Sequence, residues 1–125
     1  MELLIQILIA VIALLHAYFL YLEMFAWETL GPKTFGGFPR DFFSLTKSLA
    51  ANQGLYNGFL VAGLVWTFFI DDPIWWGRVT LFFLACVAVA GIFGGLTVSK
   101  KIFVVQAVPA ILAIVLLLLH VYVVS

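Results

Sequence analysis

Four long apolar stretches dominate the chain, running from about Leu3 to Met24, Leu49 to Ile70, Val79 to Val98 and Ile102 to Val124. A helix needs about 20 apolar residues to cross the hydrocarbon of a bilayer, and each stretch reaches that length. The stretches are apolar all round. Barrel strands instead alternate polar and apolar residues over about ten positions, so helices are predicted. The predicted fold is all-α: an integral membrane four-helix bundle with antiparallel up-down neighbours, forming a single transmembrane domain over residues 1–125.

The connections refine this picture. Asp71 to Arg78 is short and holds Pro73, and Ser99-Lys100-Lys101 reads as a tight hairpin. The first connection, Glu28 to Lys47, is longer and holds Gly31-Pro32, Gly36-Gly37 and Pro39. Nothing after Pro39 breaks a helix until Asp71, and proline suits a helix start. Helix 2 is therefore expected to begin near Arg40 and extend into the cytoplasm, with Phe42, Phe43 and Leu45 at the interface. The first apolar run lacks a positive leader and a small-residue cleavage site, so it reads as a retained span rather than a signal peptide.

Composition agrees with lipid as the solvent. Apolar residues make up 66% of the chain and charged residues only 10%, too few to cover a soluble surface of this size. The formal net charge is zero, so no field points to nucleic acid. Cys86 is the single cysteine; it permits no intrachain disulfide and suggests no metal. Basic residues orient the chain. Lys33, Arg40 and Lys47 flank or occupy the first connection and Lys100 and Lys101 the third, against Arg78 alone in the second. That bias places loops 1 and 3 in the cytoplasm and both termini outside. Trp66, Trp75 and Trp76 fit the outer interface, and Trp27 the inner one.

Close helix packing in lipid relies on small residues. Gly54, Gly58 and Ala62 form one such ridge on helix 2, while Cys86, Ala90 and Gly94, beside Gly91 and Gly95, form others on helix 3. A close crossing of helices 2 and 3 is expected, with Leu-rich helix 4 facing lipid.

Polar residues inside a span are candidate sites because hydrocarbon leaves them unsatisfied. On helix 1, His16, Glu23 and Trp27 share a stripe, since seven positions return to nearly the same direction. His16 and Glu23 then lie roughly 10 Å apart along the axis, too far for a direct hydrogen bond. They read as a proton-exchanging pair suited to acid–base work or proton coupling, with Glu28 near the membrane edge. On helix 2, Asn52, Gln53, Tyr56 and Asn57 occupy one arc, where two amides a turn apart could clamp a polar head. On helix 4, Gln106 lies just before Pro109, whose missing donor predicts a kink. His120 reads as interfacial. Glu23, Asn52 to Asn57 and Gln106 all fall in the cytoplasmic half, which suggests one shared pocket. P-loop, dinucleotide and zinc-protease signatures are missing, as is a nucleophilic triad.

The string Ala50-Ala51-Asn52-Gln53-Gly54-Leu55-Tyr56-Asn57-Gly58-Phe59-Leu60, followed by Ala62-Gly63-Leu64, resembles the signature of the bacterial four-span family catalogued as domain of unknown function 1304. Gln106 to Leu112 resembles its last-helix motif, and Trp27-Glu28 its helix 1 end. The resemblance implies a bacterial inner-membrane protein and no established activity. A looser likeness is to the four-helix, glutathione-using membrane enzymes of eicosanoid metabolism. Lys47 and Asn52 sit roughly where those have a basic residue and an asparagine, but the arginine and glutamate expected beside them are missing.

The functional expectation is binding or acid–base conversion of a small lipid-soluble molecule, with Glu23 and His16 handling protons and Asn52, Gln53, Tyr56, Asn57, Gln106, Trp27 and Glu28 lining the site. A proton-coupled exporter or an accessory membrane subunit are the alternatives. No cofactor is expected. The expected partners are membrane lipid, the small molecule and further copies of the chain, as a dimer or trimer.

Overall fold

A computed structural model describes residues 1–124, and every regular element among them is helical. The helices are α1 (Glu2–Phe25), α2 (Trp27–Thr34), α3 (Phe42–Leu45), α4 (Lys47–Trp66), α5 (Pro73–Thr97) and α6 (Lys100–Val123). Among the described residues, α1, α5 and α6 are long and apolar enough to cross a membrane. The 20 residues of α4 would reach across, but its first half carries Asn52, Gln53 and Asn57, which leaves it less apolar than the other three.

The chain divides into two compact units. One comprises Met1–Ala13 and the residues from Ala62 onward; the other is Leu14–Val61.

In the first unit, α5 and α6 form an antiparallel pair. Asp72 starts α5 by accepting hydrogen bonds from the backbone N–H groups of Ile74 and Trp75, both at 2.9 Å, with Pro73 in the first turn. This is a standard way to satisfy the orphan donors of a helix start. It lengthens α5 by six residues relative to the predicted start at Val79. Ser99 caps α6 through the N–H of Lys101, so the predicted hairpin at Ser99-Lys100-Lys101 is a turn of two residues, Val98 and Ser99.

The expected kink before Pro109 takes the form of a wide, π-type turn at Phe103–Ala107. Pro109 has no N–H, so in a regular helix the carbonyl four residues earlier would lose its partner. The wide turn shifts the pattern there: the N–H of Val108 bonds to the carbonyl of Phe103. Gly91 of α5 packs directly on this turn. A methyl group at Gly91 would lie 2.5 Å from the Ala107 backbone nitrogen and 2.9 Å from the Cβ atoms of Ala107 and Gln106. Gly94 and Gly95 meet Ile102 and Phe103 in the same way, at 2.6 and 2.5 Å. The glycine ridge of α5 therefore serves α6, not α4 as expected from the sequence. Ala110, Ala113 and Leu117 continue the buried side of α6, while Leu112, Val115 and Leu118 remain exposed.

In the second unit, the latter part of α1 packs on the first part of α4. Gly54 faces Met24, Glu23 and the Leu20 carbonyl, and Gly58 faces the Leu20 side chain at 2.9 Å. The small-residue ridge of α4 thus serves α1. The connection after α1 is far more ordered than an open loop. The chain breaks at Ala26, resumes as α2 through Gly31-Pro32, turns at Gly37 (φ 94°), and forms the single turn α3 before α4. Left-handed backbone at Gly37 is open to glycine without steric penalty. The predicted extension of helix 2 is present as α3 but is interrupted at Thr46 (φ −102°, ψ 8°). Phe43, expected at the interface, is 2% exposed, with its ring against Gly31 of α2.

Candidate functional site

The buried polar centre of the second unit is Glu23. It lies near the end of α1, where only 6% of the residue is exposed. The Asn57 amide of α4 donates to its Oε1 at 2.5 Å. The local sequence explains why these two meet. Gly54 stands one turn before Asn57 and Gly58 directly after it, and neither glycine has a Cβ to hold α1 away. The small ridge sets the approach distance, and the carboxylate–amide hydrogen bond sets the register. A single amide donor leaves the other Glu23 oxygen available to a proton, a water or a ligand group.

His16 is buried seven positions earlier on α1, with the edge of Phe19 against its ring at 5.4 Å. Trp27 does not extend the α1 stripe, because the helix breaks at Ala26. Its indole instead donates to the Thr46 hydroxyl at 3.0 Å, and that hydroxyl donates to the Phe42 carbonyl at 2.7 Å. Trp27 therefore anchors the α2–α3 hairpin within a cluster containing Phe35, Phe42 and Phe43. Glu28 pairs with Lys47 at 3.1 Å, where both side chains are largely exposed.

The predicted amide arc divides. Asn57 turns to α1, whereas Asn52, Gln53 and Tyr56 are exposed, with Tyr56 edge-on to Phe59. Gln106 belongs to the other unit, half-buried in the wide turn over Gly91. Glu23 and Asn57 were each legible as polar residues on apolar helices, but the sequence pattern set Glu23 beside His16 and Asn57 beside Gln53 rather than together. The outward aim of Asn52, Gln53 and Tyr56 was not, because periodicity gives an arc but not its direction.

The first unit holds a concavity that the sequence reading missed. It has a volume of about 600 Å³ and is lined by Glu2, Gln6, Asp71, Trp76, Arg78 and His120, among others. His120 Nε2 lies 3.9 Å from Glu2, and Trp76 meets the imidazole edge-on at 6.2 Å. Arg78 sits over the Trp75 ring at 5.2 Å, a cation–π contact. The available signal was a pair of polar residues, Glu2 and His120, near opposite ends of the apolar chain. No group of three or more metal-ligating side chains converges among the described residues.

The sequence profile of a protein of unknown function, DUF1304, matches residues 10–118. The chain belongs to the DUF1304 family. The matched region contains Glu23 and Asn57, as well as the glycine ridges of α4 and α5. An uncharacterized protein YpaA from Lactococcus lactis subsp. lactis is 33% identical over 118 residues, covering 92% of this chain and 97% of its own. No solved structure matches. Membership in DUF1304 agrees with an integral membrane protein and leaves its activity to be argued from the site.

Proposed function

We propose that this DUF1304 protein is a four-span plasma-membrane protein that binds a small lipid-soluble molecule and exchanges a proton with it at Glu23. The observation that carries the reading is the Glu23–Asn57 pair: a carboxyl group buried beside an amide at the end of a membrane-length helix. Ionisable side chains in such positions are costly unless paired, and they commonly mark proton or substrate sites. Asn57 holds the carboxyl group in one orientation, and its own carbonyl can receive a ligand N–H or O–H. His16, further along the same helix, supplies a second proton-exchanging group. In this reading α4 is the fourth span, loops 1 and 3 are cytoplasmic, and the pair opens toward the inner leaflet.

Mass spectrometry of gently purified protein tests the proposal. Wild-type protein is expected to retain a discrete small molecule that is depleted in Asn57→Ala and in Glu23→Gln. The same retained molecules in all three proteins would overturn it. The buried carboxyl group also suits a proton-coupled exporter. Proton-linked efflux from vesicles that Glu23→Gln abolishes would favour that alternative.

A further inference from the structure

The side of α4 opposite Gly54 and Gly58 presents Leu49, Asn52, Tyr56 and Phe59, all exposed, at alternating spacings of three and four residues. Leu49 is 73% exposed, Tyr56 59% and Phe59 55%. This is the a/d spacing of a helix that packs against a parallel partner, with Gln53 on its flank. In lipid, this stripe carries two amides and a phenol with nothing to receive their hydrogen bonds, and hydrocarbon supplies no partner.

We infer that this face of α4 is the contact surface for a second copy of the chain, packed about a two-fold axis along the membrane normal. The inference rests on α4 being a span, as proposed above. Three features favour a second copy over other occupants. First, a two-fold axis along the normal sets the same residues opposite one another at the same depth. Asn52 then meets Asn52 of the partner subunit. Second, a carboxamide carries both donors and an acceptor, so it satisfies an identical group reciprocally, which a hydroxyl-free lipid chain cannot do. Third, the stripe carries no charge, so identical copies meet without repulsion; Lys47, at the start of α4, already pairs with Glu28. A single asparagine among apolar a/d positions also fixes register and favours two strands, at some cost in stability. Leu49, Tyr56 and Phe59 provide the apolar packing around it. The amides that turn away from Glu23 thus build the assembly, while Asn57 remains with the site.

Cysteine cross-linking in native membranes tests the inference. In a Cys86→Ala background, single substitutions Asn52→Cys, Tyr56→Cys and, as a control on exposed α5, Phe93→Cys are oxidised and also probed with a water-soluble maleimide. The expected result is a covalent dimer from Asn52→Cys and Tyr56→Cys but not from Phe93→Cys, with little maleimide labelling at any of the three. Maleimide labelling of Asn52→Cys and Tyr56→Cys without cross-linking would overturn the spanning reading of α4 and the inference with it. No labelling and no dimer would overturn the dimer alone, as would equal cross-linking from Phe93→Cys. Native mass spectrometry of Asn52→Leu/Gln53→Leu provides a second measurement. Because both side chains are exposed, the fold is expected to survive while the mass shifts from dimer to monomer. An unchanged dimer would also overturn the inference.

Discussion

The α5–α6 pair and the α1–α4 pair both close over glycine, yet the glycines meet different things. Gly91 of α5 lies against backbone, the Ala107 nitrogen in the wide turn of α6. Gly54 of α4 lies mainly against side chains, Met24 and Glu23 of α1, and is followed by the Asn57–Glu23 hydrogen bond. Backbone cannot move aside, whereas a methionine side chain can. The first pair is therefore a shape lock at this glycine, where backbone meets backbone. The second is an adjustable contact whose register depends on one polar pair. The first pair tolerates no added bulk at its closest point, whereas the second can absorb some by moving the Met24 side chain.

Substitutions of graded severity probe that contrast. Gly91→Val is expected to cause the largest loss, about 3 kcal/mol or more, because overpacking against backbone has no cheap relief. Thermal unfolding in mild detergent measures this, and a loss below about 1 kcal/mol would remove the distinction between the pairs. Glu23→Ala, which strands the Asn57 amide, is expected to cost about 1–2 kcal/mol. A double-mutant cycle with Asn57→Ala should return a coupling of about 0.5–2 kcal/mol, and additivity would show that the hydrogen bond does not set the register. Thr46→Val removes the acceptor of the Trp27 indole and is expected to cost about 1 kcal/mol, seen as a change in tryptophan emission along with the melting shift. Lys47→Met, which breaks an exposed ion pair with Glu28, should change stability by less than about 0.5 kcal/mol.

The sequence was most legible where one solvent decides everything. Lipid requires long apolar runs, so the extents of α1, α5 and α6 could be read to within a few residues, apart from the early start of α5 that the Asp72 cap and Pro73 impose. It was least legible where helices choose neighbours. Glycine ridges announce that a close contact exists but carry no address, and those of α4 and α5 were assigned to each other when they serve α1 and α6. In the first connection, Gly31-Pro32 is a break signal in sequence terms. In the fold Gly31 is kept small for the Phe43 ring, and the helix continues through it. At the candidate site, Glu23 and Asn57 could be nominated from their cost in hydrocarbon. Their pairing depended on the rotation of two helices about their axes, which composition does not encode.

The wide turn ahead of Pro109 sets the phase of α6. It accommodates one residue more than a regular helical turn, so tightening it would swing the preceding segment by about 100° and slide it by about 1.5 Å. Lys100 and Lys101 stand at that end, and Gln106 sits inside the turn itself. The extra residue thus decides which way Gln106 and the hairpin lysines face, and Gly91 against the Ala107 nitrogen holds that choice.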